Sequence, residues 1–106
     1  MRDLSAFQRD ILYTVAGLEV PYGLAIKRGL ESYYGEEVNH GRLYPNLDDL
    51  VQASLLVKEP IDKRTNRYAL TERGLEAIET RRAWERERLD RYEEAGATTD
   101  ARRAKQ

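Results

Sequence analysis

Apolar residues recur at three- and four-residue steps through the first third of the chain, which is the pattern of amphipathic helices packed on one core. This spacing predicts a first helix over about residues 5 to 18, with Ser5 as its N-cap. It predicts a second helix over about residues 21 to 34. Pro21 suits a first helical turn and Gly35 suits a C-terminal stop, so both ends of the second helix carry an expected signal.

A third helix is predicted to start at residue 39 or 40 and to reach about Ser54, because Asn39 is a favourable N-cap. Pro45 falls inside this segment and removes one backbone donor. The regular helix therefore either starts late or bends near its beginning. Three residues at helical spacing are predicted to face the core: Leu43, Leu47 and Leu50.

The following segment is typical of a hairpin. Residues 55 to 59 and 67 to 71 have strand-like composition, and the polar stretch 62 to 66 joins them as a turn. A fourth helix is then predicted from Glu72, with Thr71 as its N-cap. No Gly or Pro interrupts it before Gly96, so it could exceed twenty residues.

Three helices, a hairpin and a further helix, in this order, predict a winged helix-turn-helix. The expected fold class is therefore mainly α with a small β-hairpin, extended by a long C-terminal helix. We expect residues 1–74 to form the winged helix-turn-helix domain, residues 75–94 a dimerisation helix, and residues 95–106 a disordered tail.

Composition removes several classes of site from consideration. The chain has no cysteine, which excludes disulfides, thiolate metal sites and thiol redox sensing by this chain alone. It has a single histidine, His40, and neither a nucleophile–base pair nor a glycine-rich phosphate loop is recognisable. We therefore expect no enzyme activity, no metal and no cofactor. No stretch approaches the roughly 20 apolar residues that cross a bilayer, so a cytoplasmic protein without a membrane partner is expected.

Charge is segregated along the chain. The formal net charge is −1, so overall charge gives no support for a nucleic-acid partner. Residues 62 to 68, however, hold three positive groups and one negative group, whereas residues 72 to 94 hold eight acids and six arginines. Any DNA contact must therefore come from local basic clusters.

Two sequence motifs resemble a known family. Residues 43 to 47 match Leu-Tyr-Pro-x-Leu, and residues 68 to 74 match Tyr-x-Leu-Thr-x-x-Gly. In this order and spacing they resemble the PadR family of winged-helix transcriptional regulators, and within it the short archaeal members of halophile type. The resemblance implies a homodimer held by the C-terminal helix, often helped by the first helix. It also implies a roughly two-fold symmetric DNA operator, and repression more often than activation. The third helix corresponds to the recognition helix of this family, and the hairpin to its wing. One departure is Ser54, where family members usually carry a Gly that ends the recognition helix in a left-handed turn.

Contacts with double-stranded DNA are expected first from the third helix. The planar fork of Arg42, near the start of that helix, can bind guanine O6 and N7 together. Tyr44 matches the family tyrosine, which implies a phosphate contact through its hydroxyl. Asn39 and His40 could donate to a phosphate or a base, although Asn39 could equally be used as the helix cap. Asn46, one turn beyond Arg42, could read adenine.

The hairpin tip and the second helix supply the remaining candidates. The expected contacts of the wing are Lys63, Arg64, Asn66 and Arg67. Its cations suit phosphate neutralisation or a narrow minor groove, and the alternative is an ordinary solvated turn. Lys27 and Arg28 could contact backbone phosphates or remain solvated surface residues.

The last helix is expected to pair with a second copy of the chain, because one small domain cannot cover it. The expected interface residues are Phe7, Ile78, Trp84, Leu89 and Tyr92. The heptad signal is imperfect, since Arg82 and Glu85 occupy seam positions, and a monomer whose helix folds back on the first helix is the alternative.

These observations together favour a homodimeric, sequence-specific DNA-binding transcriptional regulator. The alternative is a winged-helix module that binds a protein of the transcription or replication machinery.

Overall fold

The computed structural model describes residues 3–96. Within them the chain forms a winged helix, with its elements in the expected order. The elements are α1 (Ala6–Gly17), α2 (Gly23–Tyr34), α3 (His40–Gln52), β1 (Leu56–Pro60), β2 (Asn66–Leu70) and α4 (Glu72–Ala95). The strands pair as an antiparallel hairpin. The predicted disordered tail lies outside the described residues from residue 97 onward.

Side-chain caps set the start of three helices. The Ser5 hydroxyl accepts from the Gln8 backbone N–H and the Gln8 side chain accepts from the Ser5 N–H, so α1 opens with a reciprocal capping box. Asn39 caps α3 and Thr71 caps α4 by a single bond each, in which the side-chain oxygen accepts from a backbone N–H of the first turn. These starts agree with the sequence prediction because capping is a local property of the chain.

The predicted start of α2 at residue 21 is wrong by two residues. Pro21 and Tyr22 are extended and lie beside β2, where the Tyr68 N–H donates to the Pro21 carbonyl at 2.9 Å. Tyr22 forms an isolated antiparallel bridge with Arg67. A short extended segment, Pro21 and Tyr22, therefore lies beside β2 as a third strand-like neighbour. This contact fixes the position of the hairpin relative to α2.

The helix α3 starts at His40 and contains Pro45, so it does not start late. It ends at Gln52, two residues before the predicted end. Ser54 adopts the left-handed conformation, with φ of 65°, that the family motif usually gives to glycine. This conformation costs a residue with a side chain about 1 to 2 kcal/mol. The Thr71 hydroxyl donates to the Ser54 carbonyl at 2.6 Å, which ties the turn to the start of α4.

One hydrophobic cluster joins all four helices to the hairpin. Leu43, Leu47 and Leu50 are buried in it, which confirms the predicted core face of α3. The other buried residues are Phe7, Ile11, Leu12, Val15, Ile26, Leu30, Val38, Leu55, Leu56, Tyr68, Ala77 and Ile78. Beyond Thr80, α4 runs away from this cluster, and the described part of the chain measures 58 × 29 × 23 Å.

Tyr34 makes the free energy of unfolding depend on pH in the alkaline range. Burial, followed by the hydrogen bond from its hydroxyl to Asp10, raises the pKa of Tyr34 from 10.0 to about 12. The unfolded chain therefore loses this proton near pH 10, while the folded chain keeps it until about pH 12. In this window the unfolded state binds fewer protons, so the free energy of unfolding should fall as pH rises.

Tyr34→Phe should flatten that fall, measured by urea unfolding from pH 9 to pH 12. Some slope should remain, because burial also raises the pKa of Tyr68. The matched control is Tyr33→Phe at the adjacent side chain, which is 78% exposed and should change the slope much less than Tyr34→Phe. Equal slopes for the two variants would contradict this assignment.

Candidate nucleic-acid interface

The start of α3 presents Arg42 and His40 on the side opposite its buried leucines. Arg42 is exposed, and its guanidinium carbon lies 3.8 Å from the centre of the Phe7 ring on α1. His40 is also exposed and stacks on the Tyr44 ring, with centroids 5.5 Å apart. Arg42 and His40, which were predicted to contact bases or phosphates, are therefore at the surface, and each lies against an aromatic ring.

Both asparagines of this helix are already used within the chain. Asn39 accepts from the Gly41 N–H, so it serves as the N-cap. The Asn46 oxygen accepts from the Gln8 side-chain amide at 3.0 Å, and its nitrogen donates to the Arg42 carbonyl at 2.8 Å. A bidentate contact of Asn46 with adenine would have to share or replace these bonds.

Tyr44 faces the start of α2. A Cβ added at Gly23 would overlap the Tyr44 hydroxyl oxygen, so a larger residue there would displace the ring from this position. A cleft of about 230 Å³ opens beside it, between the start of α2, α3 and the wing. Its lining includes Tyr44 together with Arg64, Thr65 and Asn66 of the wing. The structure thus brings predicted contacts of the recognition helix and the wing to one cleft.

Asp62 organises the tip of the wing. Its carboxylate accepts from the backbone N–H groups of Arg64 and Thr65, both at 2.9 Å. The Arg64 N–H is the main cause that holds the pKa of Asp62 below its usual value. Lys63 and Arg64 remain exposed at this tip. The turn is therefore ordered by the backbone and the one acid, which leaves the two cationic side chains at the surface.

Two of the predicted phosphate contacts are paired with acids. Arg67 lies 3.1 Å from the Glu59 carboxylate, directly across the hairpin. Lys27 lies 2.8 Å from Glu31, and this bond is the first cause of the lowered pKa of Glu31. Arg28 is exposed on the next position of α2. Arg67 and Lys27 must exchange or share their acid partners before they bind phosphate.

The predicted dimer residues fall into two groups. Phe7 and Ile78 are 5% and 6% exposed in the core of one chain, so they leave little surface for a partner. Trp84, Leu89 and Tyr92 are 48%, 51% and 36% exposed on the projecting part of α4. This second group therefore offers exposed apolar area on the projecting part of α4.

Sequence reasoning missed the residues that support the site. Gln8 and Gly23 contact Asn46 and Tyr44, and Pro21 holds the wing strand. A local signal existed for Gln8, because the Ser-x-x-Gln spacing is that of a capping box. Its contact with α3 joins residues 38 positions apart and leaves no local signal.

Among residues 3–96, no cluster of three histidine or acidic side chains is arranged to hold a metal ion. In the same part of the chain, no helix is both long and apolar enough to cross a membrane.

An ordered basic wing beside an exposed recognition helix defines the winged helix-turn-helix class of DNA-binding protein. The model of the transcriptional regulator PadR-like family matches residues 11–80. The chain belongs to this family. Comparison with curated proteins gives no match.

Solved structures of an archaeal halophile protein are similar to the chain over nearly its whole length. The structure of H. salinarum RosR grown from NaBr is 51% identical, covers 92% of this chain and 97% of that one, and has a TM-score of 0.76. The complex structures hsRosR-S1 and hsRosR-SG are each 52% identical, cover 94% of this chain and 95% of theirs, and have the same TM-score. These findings confirm the predicted family and its halophile-type members.

The chain is therefore a DNA-binding transcription regulator. PadR-like proteins are regulators and not enzymes, in agreement with the expectation drawn from the sequence.

Proposed function

We propose that this protein is a homodimeric, sequence-specific repressor that inserts α3 into the major groove and lays its wing on the backbone or in the minor groove. The observation that carries this proposal is the cleft that Tyr44 of α3 shares with Arg64 and Asn66 of the wing. A phosphate held at that cleft would contact both elements at once, so the groove position of α3 and the wing position would be set together.

Within this arrangement Arg42 reads the base sequence. It lies in the first turn of α3, which approaches base edges in helix-turn-helix proteins, and its fork matches guanine O6 and N7. His40 stands beside it. The Tyr44 hydroxyl donates to a phosphate, while Lys63 and Arg64 neutralise phosphates. Arg28 is suited to the flanking backbone. The solved complexes of the similar RosR chain support a binding function for this fold.

The projecting part of α4 forms the dimer surface. The helix has 24 residues and is about 36 Å long, yet its last buried residue is Ile78. Trp84, Leu89 and Tyr92 follow on the part that extends beyond the core. Burial of these side chains against a second copy would give two recognition helices and a two-fold symmetric operator with half-sites about 34 Å apart.

Arg42→Ala should relax the sequence preference at one base pair of each half-site by about 5- to 150-fold. The bidentate contact is lost, whereas the phosphate contacts remain. The measurement is selection of bound fragments from genomic DNA, followed by titration of the recovered site and of its single-base variants.

Arg73→Ala, which removes the same charge at an exposed position in the first turn of α4, is the control and should leave the preference unchanged. Recovery of the same site with the same discrimination by Arg42→Ala would remove Arg42 from the reading role. A wild-type protein that enriches no site would overturn the sequence-specific proposal as a whole.

The double variant Trp84→Ala, Leu89→Ala should be a monomer and should lose about 100-fold or more in operator affinity, because the two half-sites are no longer linked. Sedimentation equilibrium gives the mass, and titration of whole and half operators gives the affinities. Tyr33→Ala, at an exposed aromatic residue of α2, should remain dimeric. A double variant that keeps the dimer mass would place the interface elsewhere.

A further inference from the structure

The first turn of α1 contacts the reading surface of α3 through two side chains. Gln8 uses both ends of its amide: its oxygen accepts from the Ser5 N–H at 3.1 Å, and its nitrogen donates to Asn46 at 3.0 Å. Asn46 in turn donates to the carbonyl of Arg42 at 2.8 Å. A continuous series of hydrogen bonds therefore runs from the cap of α1 to the backbone of Arg42.

Phe7 contacts the other end of Arg42. Its ring supports the guanidinium at 3.8 Å, and the ring itself is 5% exposed and stacked on Tyr34 at 6.3 Å. The Tyr34 hydroxyl is held by Asp10, one turn further along α1. Because each ring is packed on the next, Phe7 is a fixed surface for the guanidinium.

The type of contact decides whether Arg42 can still read a base. A guanidinium stacked on a ring keeps its N–H donors in its own plane and uses none of them. An ion pair uses those donors, as Arg67 does with Glu59. Within residues 3–96 no carboxylate forms an ion pair with Arg42. The contact with Phe7 thus restricts the side chain while leaving its fork free.

Restriction matters because an arginine carries much rotamer entropy, which is lost when it binds a base edge. A side chain already held in one plane loses less on binding. It also discriminates better, since a wrong base pair meets a fork that cannot readily turn to a compensating contact.

We propose that Phe7 and Gln8 are positioning residues for sequence reading: Phe7 sets the plane of the Arg42 guanidinium, and Gln8, through Asn46, sets the backbone from which it projects. In this arrangement the Asn46 amide is used by its bonds to Gln8 and to the Arg42 carbonyl and does not read adenine. The proposal rests on the proposed function, namely that Arg42 reads a base pair.

Gln8→Glu separates this role from helix capping. A glutamate at this position keeps an oxygen that accepts from the Ser5 N–H, and Glu is as good as Gln in a capping box. It lacks the amide donor to Asn46. The expected result is an unchanged midpoint of urea unfolding, together with a loss of about two- to ten-fold in discrimination at the base pair read by Arg42.

Phe7→Leu removes the ring face while keeping an apolar side chain. Discrimination at the Arg42 base pair should fall about two- to five-fold, with no change at other positions of the operator, and Phe7→Tyr should restore it. In an Arg42→Ala background Phe7→Leu should have no further effect on discrimination, because the side chain that it supports is gone.

Discrimination is taken as the ratio of affinities for the operator and its single-base variant, measured on the full chain below the unfolding transition. The ratio cancels any loss of folded protein, which a purely structural role of Phe7 would produce. An Arg42→Ala variant with unaltered base preference would overturn the proposed function itself. A relaxed Arg42→Ala variant, with wild-type ratios for Gln8→Glu and Phe7→Leu, would overturn only the positioning roles.

Discussion

Replacing Lys63, Arg64 and Arg67 together with Ala should weaken binding to all DNA sequences alike and flatten its dependence on salt. Each phosphate that a cation neutralises contributes about 0.9 to the slope of log affinity against log salt concentration. A dimer loses six such contacts, so the slope should become less steep by about five. Base preference should persist, because Arg42 is untouched. Titrations of operator and unrelated DNA over a salt series measure both effects.

The three cations should not contribute equally. Arg64 projects from a turn that Asp62 holds in place, and it lines the cleft beside Tyr44. Arg67 is held by Glu59 and must exchange that partner for a phosphate. We therefore expect Arg64→Ala to cost more affinity than Arg67→Ala.

Glu59→Gln is a control that should change DNA affinity in the opposite direction. It releases Arg67 and removes one negative charge next to the DNA backbone, so affinity for every sequence should rise and the salt slope should steepen. A triple wing variant that keeps the wild-type slope would show that the wing does not neutralise phosphates, and the basic tip would then be an ordinary solvated turn.

Local signals in the sequence were sufficient for most of the fold. Ser5, Asn39 and Thr71 were predicted as caps, and each one is the N-cap of a helix. The start of α2 was predicted wrongly because Pro21 is equally suited to a first helical turn and to an extended segment. The choice is made by the hydrogen bond from Tyr68, which lies 47 residues later in the chain.

Ser54 is a second case in which a contact distant in sequence decides the local structure. Ser54 stands where the family usually has a glycine, which favours the left-handed turn after α3, yet the turn is present with serine. The Ser54 N–H donates to Val51, and the Ser54 carbonyl accepts from the hydroxyl of Thr71. This second bond reaches across the hairpin, so the compensation for a strained backbone could not be recognised from the residues around it.

For the candidate site, the sequence supplied residue types but not their partners. Arg42 and the wing cations could be proposed because cations on a recognition helix and a hairpin suit DNA. That Asn46 bonds Gln8, that Phe7 supports Arg42 and that Lys27 is held by Glu31 are matters of packing. Such contacts decide which side chains are free to bind, and they leave no trace in spacing along one helix.

Gly74, the last residue of the second family motif, is explained by a close approach of backbone to backbone. It lies in the first turn of α4, where its N–H donates to the Thr71 hydroxyl at 2.9 Å. A Cβ added at Gly74 would lie 2.1 Å from the carbonyl oxygen of Leu55. That carbonyl is itself fixed, because it accepts from the Thr71 N–H at 3.1 Å. The spacing Thr-x-x-Gly therefore combines a helix cap with room for the end of the hairpin to meet α4.

Gly74→Ala should consequently lower the free energy of unfolding by about 2 kcal/mol, although alanine is the better helix former by about 1 kcal/mol. For a domain of this size the melting temperature should fall by roughly 10 °C. Gly17→Ala is the matched control: it is also a helical glycine, but an added Cβ meets nothing within 4 Å, so stability should stay the same or rise by up to about 1 kcal/mol. Urea and thermal unfolding at one fixed protein concentration would compare the variants, since the proposed dimerisation would make stability depend on concentration. Equal stability of Gly74→Ala and the wild type would show that α4 can move away from Leu55 at no cost, and close backbone contact would no longer explain the motif.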